Sequence, residues 1–161
     1  MPRRLLRDGQ VVVDEWQYLG ESEHQEGAAL IIPFAQWLDS RDSWLARGGR
    51  LGVVLAAAHS VESVAQDLGV LALVGAEFTG PGEGRGYSQA RLLRERWQFS
   101  GELRATGYVR QDQLFFMARC GFNAFELPES ELASAGAALA TFSAAYQPST
   151  DIGVRLRRRQ G

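Results

Sequence analysis

A chain of 161 residues, 45% apolar and 22% charged, has the length and make-up of one soluble globular domain, 1–161. The net charge of -2 provides no general attraction to nucleic acid or an anionic membrane, and all 17 basic residues are Arg, which excludes Schiff-base, pyridoxal-lysine and P-loop-lysine chemistry. The single cysteine, Cys120, excludes an intrachain disulfide framework and an Fe–S cluster held by four cysteines of one chain. No apolar run approaches the roughly 18 residues that span a bilayer. The basic start, MPRRLLRDGQ, lacks the apolar stretch of a signal peptide, so the expected compartment is the cytoplasm.

In chain order, residues 1–27 read as a strand-and-loop arm: Val11, Val12 and Val13, then Trp16, Tyr18 and Leu19, suit a short strand or hairpin arm, and 21–27 is polar. Residues 28–32 form a compact apolar run closed by Pro33, a buried strand before a helix start. Phe34, Trp37, Leu38, Arg41 and Leu45 fall on one helical face, and Gly48 and Gly49 stop it. Residues 51–58 form a second strand; Ser60 is a good N-cap for a short helix carrying Val61, Val64, Ala65 and Leu68.

Residues 70–78 form a third strand that empties into a loop with Gly80, Gly82, Gly84 and Gly86. A helix opening at Ser88 buries Ala90, Leu93 and Trp97 and shows Arg91, Arg94, Glu95 and Arg96 to solvent. Strand 102–107, a helix over 112–120 with Asp112 as N-cap and Gly121 at its end, and strand 123–127 follow. The last helix carries Leu132, Ala135, Leu139 and Phe142, and 146–161 is an irregular Arg-rich tail ending in Arg157, Arg158 and Arg159.

Alternation of strands and helices predicts an α/β fold: a single three-layer domain with a mostly parallel five-stranded sheet, either open and doubly wound or a partial βα barrel. In either, ligands sit at the carboxyl ends of the strands. The Gly-rich corner has the two features of an anion site, glycines that let the backbone approach and a helix start, but it is not the dinucleotide fingerprint: Arg85 or Tyr87 stands where the third glycine would be. A capped, flexible loop is the other reading. Arg104, inside a strand, either pairs with Glu102 or Glu126 or faces a ligand. The candidate ligand-binding set is Arg85, Gly86, Tyr87, Ser88, Arg104 and Gln113, with Arg85 and Arg104 expected to converge on a small oxyanion or a partner's carboxylate. Cys120 is a buried hydrophobe or a reactive thiol. His59 is a solvated loop residue, a base or a ligand, and His24 lies in a polar loop. No metal site is expected.

The stretches GRGYSQARLLRER, GELRATG, RQDQLFFMARCGFNAFEL and FSAAYQPSTD resemble the bacterial family catalogued as domain of unknown function 934. Arg85, Gly86, Arg104, Gln113 and Cys120 match the family pattern. Glu83 stands where the family's loop has Asp, Tyr108 where it has Asp after the fourth strand, and Asn123 where it has another Asp.

The resemblance implies an oxidoreductase-associated role in sulfite reduction, because genes of the family neighbour assimilatory sulfite reductase. Sulfite-to-sulfide reduction takes six electrons through Fe–S and haem-type cofactors, and one Cys and two His cannot assemble their ligands. The expected role is therefore an accessory partner of sulfite reductase; the alternative is a small-molecule- or oxyanion-binding α/β enzyme or binding module using the Gly-rich Arg85 corner. No cofactor, nucleic acid or membrane contact is expected, and a homodimer is left open.

Overall fold

The computed structural model describes residues 3–21 and 27–145, with side chains through residue 141. The expected tail at 146–161, His24 and the side chain of Phe142 lie outside the described residues. Eight strands, β1 (Arg4–Arg7), β2 (Gln10–Val13), β3 (Gln17–Tyr18), β4 (Leu30–Pro33), β5 (Leu51–Leu55), β6 (Leu73–Phe78), β7 (Glu102–Gly107) and β8 (Ala124–Phe125), form one sheet in the order β2-β1-β8-β7-β6-β5-β4-β3. Six helices are described: α1 (Phe34–Asp39), α2 (Arg41–Arg47), α3 (Val61–Ala65), α4 (Arg85–Arg91), α5 (Leu114–Cys120) and α6 (Leu132–Ala145).

The α/β class is as the alternation predicts; the layering is not. From β4 to β8 each strand lies parallel to the next, in sequence order. A doubly wound, three-layer sheet needs a reversal of strand order, and this order has none. Right-handed crossovers then place every connecting helix on the same face. The sheet is also mixed rather than mostly parallel and five-stranded, because the hairpin β1–β2 adds antiparallel to β8 and β3 adds parallel to β4.

The chain itself forces the sheet to curl. β2 and β3 are its two outermost strands, and a flat eight-stranded sheet would hold them about 34 Å apart at the usual strand spacing. Yet only Asp14, Glu15 and Trp16 connect Val13 to Gln17, a reach of at most about 14 Å. The sheet therefore bends into a half-barrel with these three residues as a strap across its open side, which is the partial-barrel alternative. Side chains alternate between the two faces. On the outer, helix-covered face Leu30, Ile32, Leu51, Val53, Leu55, Val74, Ala76, Phe78, Leu103 and Ala105 join Trp37, Val64, Leu93, Leu114 and Met117 in the main core. On the inner face Trp16 packs with Ala29, Ile31 and Leu73 in a second, smaller cluster.

Several local expectations are corrected. The helix expected over Phe34 to Leu45 breaks at Ser40 into α1 and α2, so Leu38 is exposed rather than aligned with Trp37. The third strand starts at Leu73, and Val70 is exposed in the turn before it. Asp112 lies in a 3-10 turn, Gln111–Gln113, whose cap position is Arg110. Ser60 occupies its cap position, but its hydroxyl bonds the Ser63 hydroxyl instead of the helix backbone.

The largest correction concerns Arg94, expected in solvent and found 5% exposed. α4 runs into a π-helical turn, Leu92–Arg96. The wider turn shifts the helical register and turns Arg94 inward. Its Nε donates to the Gly121 carbonyl at 2.9 Å, and its Nη1 donates to the carbonyls of Phe99 and Gly101 at 2.8 Å each. Gly121, at φ 120, ends α5; a Cβ there would lie 2.5 Å from Arg94 Cγ, so two elements meet at a residue that must be glycine. Arg94→Met should leave three carbonyls without their donor and cost about 3 kcal/mol or more. Arg96→Met, at an exposed position, should stay within about 0.5 kcal/mol of the parent. Urea denaturation of both variants checks the contrast.

Candidate functional site

The inner face of the half-barrel carries the densest polar constellation among the described residues, centred on Arg104. Glu102, Arg104 and Thr106 alternate along β7 and all face inward, while Leu103 and Ala105 face the helices. Arg104 is fully buried. Its Nη1 and Nη2 grip both oxygens of Asp14, at 2.9 and 3.0 Å, in a bidentate pair. Its Nε donates to Glu102 at 2.8 Å and its Nη1 also to Glu126 at 3.0 Å. Arg3 Nε donates to Asp14 at 3.0 Å, and Arg7 reaches Glu102 at 3.4 Å. Above Arg104, towards the carboxyl ends of the strands, Glu126 accepts from the Tyr18 hydroxyl and from Thr106 Oγ1.

These contacts set the charge states. Burial pushes the Asp14 carboxyl up, but the hydrogen bond and charge of Arg104, with the Trp16 N–H and Arg3, outweigh it and hold its pKa below the usual carboxylate value. Burial pushes Arg104 down and the surrounding carboxylates more than restore it, so it stays a cation. Burial, then the charge of Glu126 and the hydrogen bond to it, raises the Tyr18 phenol and keeps it a donor.

Tyr18 sits on the edge strand β3 and Glu126 follows β8, so this hydrogen bond also spans the curl. Among the described residues no group of three or more His, Cys, Asp or Glu side chains is arranged to hold a metal ion, and no helix is long and apolar enough to cross a membrane.

The expected set is split between the two faces. Arg85, Gly86, Tyr87 and Ser88 form the first turn of α4, which opens at Arg85, three residues earlier than expected, with Gly84 at the cap position. The Arg85 guanidinium reaches the Ala57 carbonyl at 3.4 Å and shares no partner with Arg104. The place of an anion at this helix start is taken by the chain's own Glu83, whose Oε1 accepts from the Arg85 N–H at 2.7 Å. Gly86 serves packing rather than ligand approach: a Cβ there would meet the Phe78 ring at 2.5 Å. Tyr87 packs between Phe78, tilted at 5.0 Å, and Phe116, edge-to-face at 4.7 Å, and Ser88 is exposed. Gln113 ends the turn before α5.

Cys120 is fully buried, and burial raises its thiol pKa. His59 is half-buried rather than solvated, its Nδ1 accepting from the Ala56 N–H at 3.0 Å and its ring edge-on to Phe34. Asn123 accepts from the Leu103 N–H at 2.7 Å and faces Asp8 with its amide nitrogen at 3.4 Å. Tyr108 lies under the Arg110 guanidinium at 4.9 Å.

Pairing of Arg104 with Glu102 and Glu126 was legible in the sequence. Its main partner, Asp14, was not. The only local signal is a carboxylate placed directly after three valines.

Arg104→Met should strand buried carboxylates and cost about 3–5 kcal/mol, whereas Arg85→Ala should change stability by no more than about 0.5 kcal/mol. Asp14, with its folded pKa depressed, contributes stability that is present above its unfolded pKa of about 4 and lost as pH falls through the folded value. Asp14→Asn should therefore lower the urea midpoint at pH 7 and flatten its decline towards pH 3. An unchanged acid limb would remove Asp14 from the network.

No curated protein matches the chain. The model of a bacterial family of unknown function, DUF934, matches residues 52–154, a span that contains β6, β7, β8, Arg85, Arg104 and Cys120 but neither Asp14 nor Tyr18. On that match, which covers more than half its length, this chain is a member of the DUF934 family.

Proposed function

We propose that this chain is an accessory protein of assimilatory sulfite reduction in the cytoplasm, docking on sulfite reductase rather than acting as the six-electron catalyst. One observation carries the non-catalytic half of this reading. At the carboxyl ends of the strands, where such folds receive their ligands, Glu126 is taken up by Tyr18, Thr106 and Arg104, and the chain's own Glu83 closes the start of α4. The pathway rests on the family's gene neighbourhood. Docking is supported by the outer surface: Phe116 on α5 is 50% exposed and stands against Tyr87 of α4, an aromatic pair of the kind that anchors interfaces.

The alternative, an oxyanion-binding module at the Arg85 corner, has less support, because Glu83 already occupies the first N–H of the helix. In a strain lacking the chain, growth on sulfate or sulfite should fail and growth on sulfide should be normal. Tagged chain should retain sulfite reductase from extract, and Phe116→Glu should weaken retention at least tenfold, the loss of one hot-spot side chain. Normal growth of the deletion strain on sulfite, with no reductase retained, would overturn the proposal.

A further inference from the structure

The two edges of the sheet are treated differently by the sequence. β3, at one edge, has only two residues, Gln17 and Tyr18, a length that blunts pairing. β2, at the other, is Gln10, Val11, Val12 and Val13, with no charge, proline or bulge to discourage a neighbour, and Val13 is 57% exposed.

The hairpin register decides which backbone groups this edge offers. Asp8 and Gly9, both at positive φ, form a two-residue turn closed by the pair Arg7 and Gln10. In such a turn the closing pair is hydrogen-bonded, and antiparallel pairs then alternate. Gln10 and Val12 bond to β1, and the Asp14 N–H to the Arg3 carbonyl, 2.8 Å, continues the alternation. Val11 and Val13 therefore direct their N–H and C=O groups away from β1, out of an edge that no further strand covers among the described residues.

We propose that β2 pairs antiparallel with β2 of a second copy of this chain about a two-fold axis at Val12, joining two half-barrel sheets into one. Self-complementarity selects the occupant. Only with Val12 opposite itself does Val11 meet the partner copy's Val13, and Val13 its Val11, with all four outward-pointing groups of each strand paired. On the outer face the exposed Val13 then stacks against a valine. The interface is independent of the proposed pathway, and it lies at the β2 edge rather than on Phe116. Being short, it predicts a dissociation constant of about 1–100 µM rather than a permanent dimer.

The full chain in sedimentation equilibrium should move from 17.7 kDa towards twice that mass as concentration rises. Val13→Lys should weaken association at least tenfold with unchanged circular dichroism, and Val13→Thr should not. The register has its own test. Oxidised Val12→Cys should give a disulfide-linked dimer, because opposed residues of a non-hydrogen-bonded pair lie about 4.5 Å apart, within disulfide reach. Gln10→Cys should not, because its symmetry mate would be about 13 Å along the strand. A monomer at all concentrations, undiminished association in Val13→Lys, or equal cross-linking of Gln10→Cys and Val12→Cys would each overturn the proposal.

Discussion

The shortness of the link between β2 and β3 is the constraint on which the architecture depends. Three residues join the two outermost strands of an eight-stranded sheet, so the sheet cannot be flat. Curling has an electrostatic consequence. It carries Asp14, 90 residues away in sequence, onto the inner face of β7, where Arg104 would otherwise be a buried cation with only Glu102 and Glu126 beside it. The bidentate pair and the strap thus depend on each other: the chain geometry delivers the carboxylate, and the guanidinium holds the strap that closes the sheet. A buried ion pair of this kind adds little net stability over an apolar replacement, but breaking one half of it is costly. What the geometry shows is a tie between the strap and β7 at Asp14.

The same curl separates two sets of residues that looked like one site. In a βα unit, an Arg at a helix start and an Arg on the following strand are close in sequence, but they belong to opposite faces whenever the strand residue points away from the helix. Arg104 alternates with Leu103 and Ala105, and those two join the helix-covered core. Arg85 stays with α4 on the outer side. Period-two alternation therefore decides against convergence, and it does so from the sequence alone once the helix-covered face is known. That knowledge requires the strand order, because a reversal would have put some helices on the inner face.

What was legible follows from how local each signal is. The five parallel strands read directly from their alternation with helical spacing; β7 was placed to the residue although Glu102, Arg104 and Thr106 interrupt its apolar residues. The outer core was legible in Ala90, Leu93, Leu114 and Met117 because helical spacing marks one face. Arg94 was misplaced because the π-helical turn breaks that spacing, and nothing in LLRER announces an extra residue in the turn. Asp14 and Tyr18 were not recognised as inner-face residues, because their partners lie 90 and 108 residues away. Distances of that kind are set by topology, not by composition.

A basic complement made only of Arg fits the way this interior is built. Arg94 and Arg104 are both buried, and each satisfies at least three acceptors from one rigid planar fork. A lysine has three donors on one rotating centre, cannot grip both oxygens of Asp14 as parallel bonds, and loses its charge more readily when buried. Asn123 completes the arrangement around Arg94. Its side-chain oxygen accepts from both Arg94 Nη2 and the Leu103 N–H, so the acceptor an Asp would provide is kept, while the amide nitrogen faces the Asp8 carboxylate. An Asp at this position would set two carboxylates against each other beside the β1–β2 turn. The Asn123 amide thus serves Asp8 on one side and Arg94 and Leu103 on the other, at the junction of α4, β7 and β8.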